Sequence, residues 1–360
     1  MLIYSDSELL DLEWLPKLNL DYVITHSIKE YITNVDSIKI AFTTHRFWAQ
    51  HDTDYASAED KINDLSPHSL LVFVLESELH EFHWTIWEQC HQNNVYWLLP
   101  GYVNDRDDIN DNIICWGDWF KTTANIYKQL PNKLAEVNPY AVKPKYFDAL
   151  LGSPKPHRDF VYESINHLGL ADKCIMTYGG DWKENEFYAK DYFIYEPGTE
   201  LIGTTIGTAD WANYHGICCH LSQIIPIKVF NDTAYSIVAE TDYDNTLSCF
   251  TEKTAKPILA RRLFVVFSGY KFLHNLRKLG FLTFDNVIDE SYDLIFDDNE
   301  RYAAAMQQVQ WLCQQDQTEI YNKVRDIVEH NYRLIMTRDW TTWSADQVRD
   351  IVLKTVSAHA

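Results

Sequence analysis

Between residues 234 and 268, two strand-like apolar runs, Tyr235–Val238 and Leu263–Phe267, bracket the group Thr251-Glu252-Lys253, with Lys256 just beyond it. Side chains at strand ends reach a crevice, where an acid can grip ribose hydroxyls and a lysine can neutralise phosphate. This set suits a nucleotide, and more particularly a sugar-nucleotide donor. Arg158, in the first turn of an earlier helical segment, adds a guanidinium fork that can make two hydrogen bonds to phosphate oxygens. The helix expected after Thr251 would aim free backbone N–H groups at the same anion, although Pro257, several residues in, would kink it. Composition alone reads Glu252 and Lys253 differently, as a surface pair capping that helix.

Transfer of a sugar from a nucleotide needs a charge partner for the leaving diphosphate and a grip on the nucleoside. An inverting reaction also needs a carboxylate or histidine to deprotonate the acceptor. The charge partner can be a metal, and two D-x-D triplets match literally, Asp105-Arg106-Asp107 and Asp242-Tyr243-Asp244. The second lies among turn formers and reads first as a solvated turn. Arg158, Lys253 and Lys256 are the metal-free alternative. No metal or cofactor is therefore expected, with a nucleoside-diphosphate sugar serving as donor substrate. For the catalytic base, Glu76 and Glu78 follow the most hydrophobic candidate strand, while His45 and Asp52 follow an earlier one. Glu78 near a helix start would equally favour the helix dipole, and His45 is equally a polar loop residue. Asp289, Glu290 and Asp293 read as caps or solvated acids, with locking of the surrounding domain as the other reading. Gly203 and Gly207 fit neither a Rossmann fingerprint nor a phosphate loop, because the spacing fails and no Gly-Lys-Ser/Thr follows; turn formation explains them better.

The elements that must position these residues alternate in type. Ile38–Phe42, Leu70–Leu75, Val95–Leu99 and Ile113–Cys115 read as strands, and Glu78–Gln92 as a helix between the second and third. That order argues for an α/β layer with a mainly parallel sheet. A boundary is expected between Pro131 and Pro144, giving an N-terminal α/β domain over 1–140 and a nucleotide-binding domain over 141–340. In the second domain, His157–Leu170 carries Val161, Ile165 and Leu168 on one helical face with Gly169 as cap, and Cys174–Tyr178 is a strand. Tyr270–Leu279 reads as a helix closed by Gly280, Phe281–Asp293 as a strand and loop, and Asn299–Met336 as strongly helical. A final amphipathic helix over Ser344–Val356, within a tail of 341–360, could pack back on the first domain.

Composition bounds the partners. The 360 residues are 46% hydrophobic and 14% aromatic, a folded chain long enough for two cores. The 31 basic residues stand against 52 acidic ones, a formal charge of −21, which disfavours a phosphate-backbone binder. Seven cysteines without C-x-x-C spacing read as reduced thiols, and the longest wholly apolar run, Leu70–Leu75, is too short to cross a bilayer. A cytoplasmic protein with no membrane span follows as the expectation.

The motif order adds a resemblance. Val238-Ala239-Glu240-Thr241, then Phe250-Thr251-Glu252-Lys253, then Phe264-Val265-Val266-Phe267-Ser268-Gly269 resembles the donor-binding half of the α-1,3-fucosyltransferase family, whose pattern runs F-E-N-S, Y-[IV]-T-E-K and a P-V-V-x-G-like strand. The family's upstream arginine entering a helix, followed by a strand ending in glycine, is matched by Arg158-Asp159-Phe160-Val161 and Tyr178-Gly179-Gly180. The chain also looks like glycosyltransferase-like proteins of phage and marine microbial genomes, which carry T-E-K-T-x-K-P-I and F-x-T-F-x-x-x-I-D-E-S-Y-D. The resemblance spans about residues 150–295. It implies a GT-B fold, two Rossmann-like domains facing across a cleft with a helical C-terminal end. It also implies inverting, metal-independent glycosyl transfer, with fucose as the family's sugar and a carbohydrate or other hydroxyl acceptor. Glu240, Thr251, Glu252, Lys253, Lys256 and Arg158 would hold the donor, Glu252 at the ribose and Lys253 with Arg158 at the diphosphate. Two other readings stay open: a non-catalytic nucleotide- or carbohydrate-binding protein, and a phage-type enzyme acting on a modified DNA base.

Overall fold

The computed structural model of the chain describes residues 1–6, 10–35, 38–44, 58–69, 71–75, 95–104, 112–152, 154–178, 196–202 and 211–358. The chain divides into two compact units, Met1–Asp118 together with Arg338–Ala360, and Trp119–Thr337. Both are mixed α/β, and among the described residues no helix is long and apolar enough to cross a membrane.

In the first unit, short apolar runs form β1 (Leu2–Ser5), β2 (Val23–Thr25), β3 (Lys39–Thr44), β4 (Leu71–Leu75), β5 (Val95–Leu99) and β6 (Ile113–Cys115). They pair in the order β2-β1-β3-β4-β5-β6, every pair parallel. Helices α1 (Ile28–Thr33) and α2 (Ala58–Leu65) lie in the connections that parallel pairing requires. The four strands expected from the apolar runs form, and β1 and β2, of four and three residues, join them. The last helix, Trp340–Ala358, completes this unit's core: Ala345, Val348 and Val352 pack with Ile3, Trp14, Phe42 and Trp116. Trp14 anchors the contact by donating its indole N–H to Ser344 Oγ at 3.1 Å.

The second unit opens with α3 (Asp118–Gln129) and then β7 (Lys145–Leu151), α4 (Pro156–His167) and β8 (Cys174–Tyr178). Three antiparallel strands follow, β9 (Thr199–Ile202), β10 (Trp211–Tyr214) and β11 (Ile217–His220). The β10–β11 hairpin turns on His215-Gly216, both at positive φ as a two-residue type I′ loop requires. Next come β12 (Thr233–Ala239), α5 (Glu252–Leu259), β13 (Phe264–Phe267), α6 (Phe272–Lys278), α7 (Asp298–Leu312) and α8 (Gln317–Thr337). The parallel sheet runs β13-β12-β7-β8. The chain thus goes from β7 to β8 on one side and returns to β12 on the other, so the strand order reverses between β7 and β12. Gly169 ends α4 at φ +64, with Leu170 N bonded to Ile165 O and Gly169 N to Asn166 O, a Schellman closure.

One expectation changes and two are made specific. Phe281–Phe284 forms no strand: Leu282 exchanges both main-chain hydrogen bonds, at 2.8 Å each, with the Asn331 side chain on α8 instead of with a neighbouring strand. The long helical stretch is two helices, with Asp316 Oδ1 accepting from Glu319 N at the start of the second. Asp289, Glu290 and Asp293 are capping and locking residues. Asp289 caps the short turn Glu290–Leu294, and Glu290 accepts from Phe284 N and pairs with Arg277. Asp293 accepts from Leu273 N and His274 N at 2.8 Å each, capping α6, whose own N-cap Lys271 makes no side-chain cap bond.

The central strand β7 escapes apolar patterning because Asp148 sits in its middle, buried. Arg262, also buried, reaches Asp148 Oδ1 at 2.6 Å and donates further to Phe230 O, Thr233 O and Tyr235 O. Burial raises the Asp148 carboxyl, with Arg262, Ser236 and Thr233 opposing that rise. A buried charge is tolerated only with such pairing, and Arg262 ties Asp148 on β7 to Thr233 and Tyr235 on β12.

Candidate functional site

In open parallel sheets, ligands sit beyond the carboxyl ends of the strands where the order reverses, because the helices leaving the two strands diverge and open a crevice. In the second unit that place lies between β7 and β12. It receives the N-terminus of α4, the first residues after β12 and the N-terminus of α5.

Glu240 organises the site. It follows β12 directly, is 0% exposed, and its carboxylate accepts four hydrogen bonds from protein donors. Oε1 accepts from Thr254 Oγ1 at 2.5 Å and Thr251 N at 3.3 Å; Oε2 accepts from Thr251 Oγ1 at 2.5 Å and Thr241 N at 2.9 Å. Glu240 therefore fastens the end of β12 to the first turn of α5. Thr251 then caps that helix through Oγ1, which accepts from Lys253 N at 3.2 Å. The helix continues through Pro257 to Leu259: a proline at this point of a two-turn helix withholds one hydrogen bond near its end, and Arg262 N closes on Pro257 O at 2.9 Å.

The Glu240 carbonyl draws in the other wall. His157 Nε2 donates to it at 2.8 Å and Arg158 Nη2 at 3.2 Å, both residues buried in the first turn of α4. Burial pushes the His157 imidazole down to about 3, with the Arg158, Lys155 and Lys253 charges acting the same way and the Glu240 carbonyl opposing. The ring is neutral at ordinary pH, and its Nδ1 is buried with no hydrogen-bond partner among the described residues. Two half-buried lysines meet at Thr241: Lys155 Nζ donates to the main-chain O at 2.6 Å and Lys253 Nζ to Oγ1 at 2.8 Å. Lys253 also pairs with Glu252 at 2.6 Å, and the Glu252 side chain is 5% exposed against 24% for Lys253. Burial acts to raise the Glu252 carboxyl, but Lys253 and Lys256 together outweigh it and hold it below the usual carboxylate range. Lys256, half-buried, donates to Ser222 O at 2.8 Å; burial lowers its ammonium and Glu252 opposes. Positive charge and two helix N-termini thus converge on one strand end, an arrangement that favours an anion.

The residues expected from sequence, Arg158, Glu240, Thr251, Glu252, Lys253 and Lys256, are brought together here. Their exposure separates them: Arg158, Glu240, Thr251 and Glu252 are buried, while Lys253 and Lys256 keep part of their surface. The Glu252–Lys253 pair exists, but with an interior acid rather than on the surface. Asp242 and Asp244 form turn ladders, Asp242 Oδ1 accepting from Asp244 N and Asp244 Oδ1 from Thr246 N. Among the described residues no group of three His, Cys, Asp or Glu could hold a metal ion. Glu76, Glu78, His45, Asp52 and the Asp105-Arg106-Asp107 triplet lie outside the described residues, as do Gly179, Gly180, Gly203 and Gly207.

Sequence reasoning missed Lys155, His157, Thr241, Tyr243 and Thr254. A lysine before Pro156 at a helix start was the available signal for the first two; Thr241 and Tyr243 depend on the loop geometry, and Thr254 stands in the T-E-K-T run at the start of α5. It also missed Asp6, buried where the first unit's order reverses between β1 and β3 and bonded by Thr43 Oγ1 at 2.7 Å. No family model matches the chain, and no curated protein or solved structure matches it.

Proposed function

We propose that this chain is a glycosyltransferase that moves a sugar from a nucleoside-diphosphate donor to a hydroxyl acceptor. The observation that carries the reading is the meeting of Lys155 and Lys253 on Thr241, at the strand end where the N-termini of α4 and α5 converge. A leaving diphosphate needs fixed positive charge that does not reorganise during reaction, and lysines already held by protein oxygens supply it. Arg158 and Glu240 act behind them, Arg158 by adding charge and Glu240 by setting the first turn of α5. The sequence motifs favour the inverting, GT-B class with a Rossmann-like domain from each unit, the fucosyltransferase-like donor pattern, and a base at Glu76 or Glu78.

Calorimetric titration of the full chain with UDP, GDP and ADP tests the reading. At least one should bind, and Lys253→Ala should weaken it about tenfold or more, the worth of one charge-assisted contact. Absence of binding by all three, or a Lys253→Ala protein that binds like the parent, would refute it. Binding without donor hydrolysis or transfer would identify a non-catalytic nucleotide-binding protein instead.

A further inference from the structure

The loop that follows Glu240 is fixed more firmly than a surface turn requires. Its aspartates bond their own backbone, Ser268 Oγ donates to Asp242 O at 2.8 Å, and Asn245 bridges Phe296 O and Tyr270 N at 2.8 Å each. Gly269, at the end of β13, allows this approach: a Cβ there would fall 2.1 Å from Asp244 O. The loop holds up Tyr243. One face of its ring lies on the buried His157 imidazole, centroids 5.1 Å apart and planes 24° from parallel. Tyr243 is nonetheless half-exposed, and its hydroxyl makes no hydrogen bond among the described residues.

A planar ring set against an uncharged, immobile partner has lost its freedom before any ligand arrives. It also lies two residues from Thr241, where Lys155 and Lys253 converge. Two residues of chain span at most about 7 Å, so the ring and the two lysines lie within the reach of one nucleotide, from its phosphates to its base. We propose that Tyr243 is the base-stacking platform of this site, receiving the heteroaromatic base of a nucleoside diphosphate whose phosphates face Lys155 and Lys253. The inference rests on the nucleotide reading above. Stacking is tolerant of base identity because every base has a π-face, so Tyr243 supplies affinity and orientation rather than choice of base.

Calorimetry of the full chain with inorganic pyrophosphate, UDP and GDP separates the platform from the charge site. Tyr243→Ala should weaken both nucleoside diphosphates about 10- to 100-fold, the scale of one base–aromatic stack, and leave pyrophosphate unchanged. Tyr243→Phe, which keeps the ring, should stay within about twofold of the parent. Equal loss for pyrophosphate and the nucleotides, or no loss for either, overturns the platform. The parent provides a check should Tyr243→Ala fail to fold: nucleoside diphosphates binding no tighter than pyrophosphate also overturns it. A parent that binds pyrophosphate but gains nothing from the base keeps the anion site and loses only the platform. A parent that binds none of the three ligands overturns the nucleotide reading and this inference with it.

Discussion

Replacing Glu240 by glutamine tests whether one buried carboxylate holds the site together. The carboxylate accepts two hydrogen bonds on each oxygen, and each oxygen faces one main-chain N–H, Thr251 on Oε1 and Thr241 on Oε2. A glutamine offers one oxygen and one NH2, so either orientation points an NH2 at a backbone N–H. The threonine hydroxyls can rotate to accept; the amide cannot. The variant therefore loses one charge-assisted bond, leaves a donor unsatisfied and weakens the bonds that remain, together about 2–3 kcal/mol. Urea unfolding should show the lower midpoint at unchanged m, and hydrogen exchange should quicken at Thr241 or Thr251 and through the first turn of α5. A Glu240→Gln protein within about 0.5 kcal/mol of the parent, with exchange unchanged at both amides, would refute the reasoning.

Two further outcomes follow from buried charge. Arg262→Met should cost about 3–5 kcal/mol in urea unfolding, since it leaves Asp148 buried with only hydroxyl partners, and adding Asp148→Leu should restore much of the loss by removing the orphaned charge. His157 gives the second unit an acid-side slope. Its folded value of about 3 lies below the unfolded one, so the unfolded chain takes up the proton first as pH falls. The stability it contributes is complete above about pH 6.5 and falls by about 1.4 kcal/mol per unit toward pH 3. His157→Gln, which can still donate to the Glu240 carbonyl, should flatten that slope in unfolding curves taken between pH 7 and 4; an unchanged slope assigns the acid sensitivity to other groups.

Local features were legible where a residue's own backbone preference decided them. Gly169 and Gly280 close the helices expected before them, because positive φ is nearly free for glycine. The strands of the first unit that carry long apolar runs were legible as well, since a parallel sheet buried on both faces needs near-continuous apolar sequence. Phe281–Phe284 and Lys145–Leu151 failed in opposite directions for one reason, that the decisive partner is remote in sequence. Asn331 took the strand bonds of the first, and Arg262 neutralised the carboxylate that hid the second.

The same division holds for the site. Residue type and order singled out Arg158, Glu240, Thr251, Glu252, Lys253 and Lys256, because strand ends and helix starts are written in local sequence. Only tertiary structure decided which of them face inward. Glu240 and Glu252 are both acids beside threonines and lysines, and nothing local distinguishes a clamp from a ligand grip. Nor could local sequence set His157 beneath Tyr243: the two lie on separate elements, and their stacking follows from the reversal of strand order between β7 and β12. Burial is a property of where segments distant in sequence meet.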